Sequence, residues 1–203
     1  MTEPLGAQNC EIRAMVGKDW PQVLQIYREG ISTGNATFET DPPSWEMWNS
    51  GHLPDCRLVA LDHSQVLGWA ALSPVSSRRV YAGVTEVSVY VGSAARSKGV
   101  GRALLLALIC SAEAAGIWTL QAGIFPENVA SIHLHKSLGF REVGRRERVG
   151  KMGDRWRDGM LLERRSRAAG NQLSRSPFRM APVSALFPKN SRRIRALVIL
   201  PST

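Results

Sequence analysis

The chain has 203 residues, 44% of them hydrophobic and 7% aromatic, and a formal net charge of +9. This composition is typical of one globular domain, and no run approaches the roughly 20 apolar residues of a membrane span. The three cysteines are widely spaced and form no C-x-x-C pair, which predicts neither a disulfide framework nor a zinc site.

The positive charge is concentrated at the C-terminal end. Residues 167–203 contain seven Lys or Arg and no Asp or Glu, whereas residues 1–166 contain 19 basic and 17 acidic residues. The end segment is also rich in proline, so we predict a folded domain at 1–166 followed by a basic, disordered extension at 167–203. The only argument for a nucleic-acid contact is the charge of this extension. Because charge alone is weak support, nucleic acid is not expected as a partner. The N-terminus lacks a secretory signal, which predicts a cytoplasmic protein.

Alternating hydrophobicity and turn residues predict seven strands, and helical periodicity predicts four helices. The strands lie at 11–16, 57–62, 65–72, 85–91, 118–124, 140–148 and 156–163. The first helix follows Asp19 as its predicted cap, and the others lie at about 44–48, 100–115 and 129–138. This order predicts an α/β domain built on one mixed sheet.

The most informative stretch, at 85–108, combines an apolar strand, a basic turn with two glycines and a long helix. Gly99 and Gly101 lack a Cβ, so the backbone can approach an anion, and the free N–H groups at the helix start point towards it. There is no third glycine for a dinucleotide fingerprint and no G-K-S or G-K-T ending for an NTP loop. The turn therefore predicts another ligand with a diphosphate group.

The turn R-S-K-G-V-G resembles the R/Q-x-x-G-x-G/A pyrophosphate loop of the GNAT acetyltransferases, and P-E-N-V-A-S-I-H-L-H-K-S-L-G-F at 126–140 is similar to their second cofactor segment. The resemblance implies acetyl-CoA as co-substrate and a GNAT-like single domain. Its expected architecture is a mixed, mostly antiparallel central sheet of about seven strands flanked by about four helices. The implied cofactor-binding residues are Val89, Tyr90, Val91, Arg96, Ser97, Lys98, Gly99, Val100, Gly101, Arg102 and Asn128.

Four segments are similar to the branch of phosphinothricin, methionine sulfoximine and L-amino-acid N-acetyltransferases. They are N-A-T-F-E at 35–39, R-R-V-Y at 78–81, T-E-V-S-V-Y-V at 85–91 and R-W-R-D at 155–158. Members often have R-P-A-Y where this chain has R-R-V-Y. The branch implies N-acetylation of a small amino acid or analogue by a homodimer.

An ammonium group cannot attack a thioester until a base removes its proton. Glu86 matches the catalytic Glu of the family, and we expect it in a partly dry cleft that would raise its pKa, although a lone Glu can also be a solvated charge on a strand. The amine then attacks acetyl-CoA directly, and an N–H near Val89 would polarise the thioester carbonyl.

Several other residues have two interpretations. His135 matches a His of the branch that lies near the acetyl group, where it would assist proton transfer or orient the cofactor; the alternative is a packing role. Because His133 and His135 are two positions apart on a helix, they point in different directions, which argues against a shared metal site. Asn128 contacts the cofactor or only caps a helix. Arg78 with Tyr81 is the predicted clamp for the substrate carboxylate, or a turn residue in water. Phe38 is expected to form an apolar wall of the substrate pocket. Trp156 and Asp158 are expected to complete the pocket or to form a dimer contact.

Three functions remain open from the sequence. The leading one is N-acetylation of an amino acid or analogue, with phosphinothricin-like compounds as substrates. The second keeps the fold but acetylates a peptide N-terminus or an aminoglycoside. The third is a non-catalytic acetyl-CoA-binding regulatory module, against which Glu86 and the complete phosphate loop argue.

Overall fold

A computed structural model of the chain describes residues 10–170. The strands are β1 Glu11–Ala14, β2 Arg57–Asp62, β3 Gln65–Pro74, β4 Val84–Val91, β5 Thr119–Ile124, β6 Arg141–Met152 and β7 Arg155–Arg165. The helices are α1 Trp20–Ser32, α2 Trp45–Gly51, α3 Val100–Ala114 and α4 Val129–Ser137. Apart from its first four residues, the extension predicted at 167–203 lies outside the described residues and stays a prediction. Within 10–170, no helix is long and apolar enough to cross a membrane.

The strands form one sheet in the order β1-β2-β3-β4-β5-β7-β6. Only β4 and β5 are parallel, and every other neighbouring pair is antiparallel. This confirms the predicted α/β domain with a mixed, mostly antiparallel sheet of seven strands and four helices. The single parallel pair brings two strand starts side by side at the centre of the sheet, and this position determines where the site forms.

The helices pack on the two faces of the sheet unequally. On one face, α3 buries Leu104, Leu105 and Leu108 completely against β2, β3 and β4, and α4 adds partly buried side chains to the same core. On the other face, α1 and α2 pack Val23 and Trp48 over β2 and β3. Each buried Leu contributes about 1.5–3 kcal/mol. No helix of the described residues covers β5, β7 and β6 on that second face, which leaves room for a cavity.

The predicted position of the α1 cap is confirmed, but its side-chain hydrogen bond to the helix is not formed. Asp19 occupies the cap position, but its carboxylate makes no cap hydrogen bond to the helix. Both of its oxygens accept hydrogen bonds from the Arg13 guanidinium, at 2.7 and 2.8 Å, and one also accepts from the Val16 N–H at 2.9 Å. The competing donor comes from the preceding strand, so the helix start alone could not reveal it.

Candidate active site

Strands β4 and β5 pair only at their first residues and then separate. Their register runs from Val84 opposite Thr119 to Glu86 opposite Gln121, whereas β4 continues along β3 as far as Val91. A gap therefore opens beside the second half of β4. The acidic side chain of Glu86 stands at the point where the two strands part.

The backbone of β4 presents free groups to this gap. The Gly92 N–H donates to the Leu67 carbonyl at 2.9 Å, on the β3 side. Because backbone groups alternate in direction along an antiparallel ladder, those of Val89 and Val91 face away from β3 and into the gap. The Val91 carbonyl accepts a hydrogen bond from the Arg96 Nε at 3.3 Å, which leaves the Val89 groups and the Val91 N–H for a ligand. This arrangement allows an extended ligand with amide groups to hydrogen-bond β4 as a missing strand would.

The turn before α3 has the geometry of an anion site. Gly99 adopts φ +81°, a left-handed conformation that favours glycine, and α3 begins immediately after it. The first N–H bonded inside the helix is that of Ala103, which donates to the Gly99 carbonyl at 3.0 Å, and no described side chain caps the helix start. The preceding N–H groups are therefore available to an anion, with the exposed side chains of Arg96, Lys98 and Arg102 around them.

Gly101 keeps a passage open between β4 and α4. A Cβ added at this position would lie 3.4 Å from the Val91 Cγ2 and 3.4 Å from the Leu134 Cδ2. A methyl group just fits there, but a longer side chain would fill the space between the strand and the helix. Val100, also predicted to contact the cofactor, has a buried side chain, so only its backbone is available.

Tyr90 points away from the gap. Its ring stacks on Trp69 with 4.6 Å between centroids and meets Tyr27 edge-on at 4.9 Å. Burial raises the pKa of the Tyr90 phenol, and its hydroxyl donates to the Ala36 carbonyl at 3.4 Å. The structure thus uses the Tyr90 side chain for packing and for holding the loop after α1.

A cavity of about 280 Å³ lies on the uncovered face, between the loop after α1, the strands β4 and β5, and the β6–β7 hairpin. Among residues 10–170, the ionisable side chains that line it are those of Glu86 and Arg146. The other lining residues are mostly apolar and include Phe38, Phe125 and Leu161. The cavity therefore presents one carboxylate, one guanidinium and an apolar wall to a ligand.

The predicted base, Glu86, lines this cavity but is not in dry surroundings. The residue is exposed, contrary to the expected partly dry cleft. The Glu86 Oε1 lies 3.2 Å from the position that a Cβ on Gly123 would occupy. The absence of a side chain at Gly123 thus makes room for the carboxylate beside β5.

Phe38 lines the cavity as the sequence predicted, and its position depends on Arg157, which sequence reasoning did not single out. Phe38 meets Phe125 edge-on with 4.7 Å between ring centroids. The Arg157 guanidinium in turn stacks over the Phe125 ring, 4.1 Å from its centroid. The same guanidinium donates to the Gly34 carbonyl at 2.9 Å and to the Asn35 Oδ1 at 2.8 Å. Alternation along the R-W-R-D segment, which turns Arg157 to the face opposite its two neighbours, is the sequence feature that could have indicated it.

Asn128 caps α4 and also hydrogen-bonds the loop after α1. Its Oδ1 accepts from the Ser131 N–H at 3.2 Å, which confirms the predicted cap of α4. Its Nδ2 donates to the Asn35 carbonyl at 3.2 Å. Cofactor contact by Asn128 stays a prediction.

His135 is buried, with 3% of its surface exposed. Its Nδ1 lies 2.8 Å from the Ser131 carbonyl, and its ring meets Phe140 edge-on at 4.9 Å. Burial lowers the pKa of the imidazole, which favours a neutral ring that donates from Nδ1. The Nε2 atom is then a buried acceptor that has no partner among residues 10–170. The packing interpretation fits this position, and a role in proton transfer stays a prediction.

Arg78 and Tyr81 are not among the residues that line the cavity. Both are exposed in the turn between β3 and β4, where the Arg78 guanidinium lies 5.6 Å from the centroid of the Tyr81 ring. Trp156 is 57% exposed and also lies outside the lining. The role of Arg78 and Tyr81 as a carboxylate clamp stays a prediction.

Comparisons with known proteins agree with this geometry. Residues 20–140 match the acetyltransferase (GNAT) family. The chain is 34% identical over 182 residues to the L-methionine sulfoximine/L-methionine sulfone acetyltransferase of Pseudomonas paraeruginosa, an alignment that covers 86% of this chain and 99% of that protein.

Two solved structures are similar to this one. A phosphinothricin acetyltransferase of the GNAT superfamily from Sinorhizobium meliloti, in complex with acetyl-CoA, has a TM-score of 0.73 and 31% identity, covering 87% of this chain and 98% of that chain. A ribosomal-protein-alanine N-acetyltransferase from Brucella melitensis has a TM-score of 0.70 and 34% identity, covering 77% of this chain and 99% of that chain.

Proposed function

Because the chain belongs to the acetyltransferase (GNAT) family, we propose that it transfers an acetyl group from acetyl-CoA to the amino group of a small amino acid or analogue. Phosphinothricin and methionine sulfoximine or sulfone are the substrate class, because relatives with about the length of this domain carry these names. The observation that carries the proposal is the position of Glu86, which lines the cavity at the point where β4 and β5 separate.

The residues present fit acetyl-CoA on both sides of this point. The free N–H groups at the start of α3 and the side chains of Arg96, Lys98 and Arg102 suit its phosphates. The backbone groups of Val89 and the Val91 N–H, which face the gap, suit the amides of its pantetheine arm, and an N–H facing the gap can stabilise negative charge on the thioester oxygen. Acetyl-CoA supplies the activated acyl carbon and a thiolate leaving group.

In the proposed reaction, the Glu86 carboxylate accepts a proton from the substrate ammonium, directly or through a water molecule. The nitrogen lone pair then forms a bond to the acetyl carbon, and the carbon–sulfur bond breaks with its electrons remaining on sulfur. The products are the N-acetylated acid and CoA thiolate. The thiolate takes up the proton that the nitrogen loses as the amide forms, and Glu86 returns its proton to water. Water can reach Glu86, so proton transfer through water is compatible with its exposure.

The first test measures thiol release from acetyl-CoA with the common L-amino acids, phosphinothricin, methionine sulfoximine, an aminoglycoside and a short peptide as acceptors. We expect turnover with the free amino-acid analogues. A protein that binds acetyl-CoA but releases no thiol with any amine would contradict the proposal and favour the non-catalytic regulatory module.

The second test removes the base. Glu86→Gln is expected to lower kcat by about 10²- to 10⁴-fold with little change in acetyl-CoA affinity. Glu147→Gln is the matched control, because Glu147 is exposed and lies outside the cavity lining. Unchanged turnover in Glu86→Gln would exclude this residue as the base.

A peptide N-terminus is the second candidate acceptor. The similarity to the Brucella melitensis enzyme, whose name specifies a ribosomal-protein alanine, is the observation in its favour. A cavity of about 280 Å³ suits a single amino acid better than a protein segment. A peptide that begins with alanine, compared with free L-alanine in the thiol-release assay, distinguishes the two acceptors.

The predicted homodimer and cytoplasmic location complete the proposal. Light scattering after size-exclusion chromatography measures the mass of the particle, and a monomer of 22.3 kDa would contradict the first of these predictions.

A further inference from the structure

We propose that Arg146 binds the α-carboxylate of the acceptor while Glu86 faces its amino group, so that the site selects free amino acids over peptide N-termini. This inference rests on the proposed function, since it concerns the acceptor in the same cavity. It also moves the carboxylate clamp from the β3–β4 turn, where the sequence placed it, to the β6–β7 hairpin.

The hairpin turns Arg146 towards the cavity. In the β6–β7 register Arg146 lies opposite Gly159, and both residues line the cavity. Arg145, one position earlier, lies opposite Met160 and therefore projects from the other face of the strand. The alternation of a strand thus separates two adjacent arginines, and only the second lines the cavity with Glu86.

A bulge in β6 fixes this arrangement. The β6–β7 register shifts between Arg146 and Gly150, and Arg148 has φ +49°. The Asp158 carboxylate holds the bulge, because its Oδ1 accepts from the Arg148 N–H at 2.8 Å and its Oδ2 accepts from the Arg145 Nε at 2.8 Å. Arg145 is therefore engaged by a neighbouring strand, whereas Arg146 is not.

Within the described range 10–170, the side chain of Arg146 makes no hydrogen bond or ion pair. Three other arginines of this hairpin are occupied, since Arg141 pairs with Glu163, Arg145 with Asp158 and Arg157 with Glu127. The remaining unpaired ones among the described residues, such as Arg148 and Arg155, do not line the cavity. Arg146 can thus turn its guanidinium to an incoming anion without breaking a protein contact. A guanidinium binds a carboxylate through two parallel hydrogen bonds, which also orients the ligand.

The two ionisable lining residues match the two charges of an amino acid. An α-amino acid carries its ammonium and its carboxylate on one carbon atom, so it needs an acceptor and a donor on the walls of one small cavity. Glu86 and Arg146 supply these groups, and the apolar lining, including Phe38 and Leu161, remains for the side chain. A peptide N-terminus has an ammonium but no α-carboxylate, so it leaves the Arg146 guanidinium without a partner.

The experiment compares L-methionine sulfone with its carboxamide, which keeps the amine and loses the negative charge. In Arg146→Gln, we expect KM for the acid to rise by about 10- to 100-fold, with kcat within about threefold and KM for the carboxamide unchanged. Arg78→Gln tests the competing clamp in the same assay. Arg28→Gln is the matched control, because Arg28 is exposed on α1 outside the cavity lining.

Calorimetric binding of L-methionine sulfone to wild type and Arg146→Gln separates this inference from the proposed function. If the wild type binds the acid but releases no thiol, and Arg146→Gln loses binding, the clamp stands and the acetylation proposal fails. If the wild type acetylates the acid and Arg146→Gln keeps its KM, the clamp is overturned while acetylation stands. If Arg78→Gln, and not Arg146→Gln, raises KM for the acid without changing KM for the carboxamide, the Arg146 clamp is also overturned. A wild type that neither binds nor acetylates the acid overturns both the clamp and the acetylation proposal.

Discussion

The Arg157 guanidinium lies 4.1 Å from the centroid of the Phe125 ring and donates to the Asn35 Oδ1 at 2.8 Å. One side chain of β7 therefore links the end of β5 to the loop that follows α1. Phe38, in that loop, contacts the same ring edge-on and closes one side of the cavity. The position of the cavity wall thus depends on a residue that does not itself line the cavity.

Arg157→Lys should weaken this link, because an ammonium cannot donate in the fixed planar geometry of a guanidinium. We expect a loss of about 2 kcal/mol in the free energy of unfolding, or about 5 °C in Tm, and a rise in KM for the amino acid. Calorimetry and steady-state kinetics measure the two effects. Arg155→Lys, at an exposed position of the same strand, should change neither quantity, and an equal effect of both substitutions would contradict the positioning role.

Gly123→Ala tests the space beside the base. The added Cβ would lie 3.2 Å from the Glu86 Oε1, so the carboxylate must shift by a few tenths of an ångström. We expect kcat to fall by about 10-fold, because a proton acceptor works only within hydrogen-bond reach of the amine. Gly144→Ala is the control, since a Cβ there meets nothing within 4 Å. Equal kcat values in the two variants would show that this spacing does not matter.

Gly101→Glu should abolish acetyl-CoA binding, because the side chain would place bulk and negative charge in the passage between Val91 and Leu134. Gly101→Gln has nearly the same volume without the charge, so the difference between the two measures the electrostatic part. Calorimetric titration with acetyl-CoA gives both affinities. Wild-type affinity in Gly101→Glu would remove the turn before α3 from the cofactor site.

Local patterns predicted the elements that build the cofactor side of the site. The strand, basic turn and helix at 85–108 are contiguous in sequence, and their hydrophobic period and glycines determine their structure without reference to the rest of the chain. Asn128 likewise caps the helix that follows it, as its residue type indicates. The cavity was predicted less completely: the sequence singled out Glu86 and Phe38, which line it, but neither Arg146, which also lines it, nor Arg157, which contacts Phe125.

The missed residues depend on contacts that are distant in sequence. Strand β6 runs to Met152 rather than to the predicted end at 148, because the bulge after Arg146 breaks the two-residue alternation on which the prediction relied. Arg157 finds partners more than 120 positions earlier in the chain. The bulge has no local pattern, and the alternation of the R-W-R-D segment gives the face of Arg157 but not its partners, so the register of the β6–β7 hairpin had to be seen in the structure.

Two histidines, the buried His135 and the half-buried His52, predict how stability varies with pH. Burial lowers the pKa of His135, against the opposing effect of the Ser131 carbonyl, and burial also lowers the pKa of His52. As pH falls below about 6.5, the unfolded chain therefore binds protons that the folded protein does not. The contribution of these two histidines to the free energy of unfolding should be constant above that pH and should fall by up to about 1.4 kcal/mol per pH unit per histidine below it.

Urea unfolding at pH 7.5, 6.5 and 5.5 measures this slope. His135→Gln keeps a side chain that can hydrogen-bond but cannot titrate, so the slope below pH 6.5 should become shallower even if the variant is less stable throughout. His133→Gln is the control, because His133 is exposed on the same helix and should leave the slope unchanged. A slope in His135→Gln equal to that of the wild type would mean that the burial of His135 does not govern its protonation.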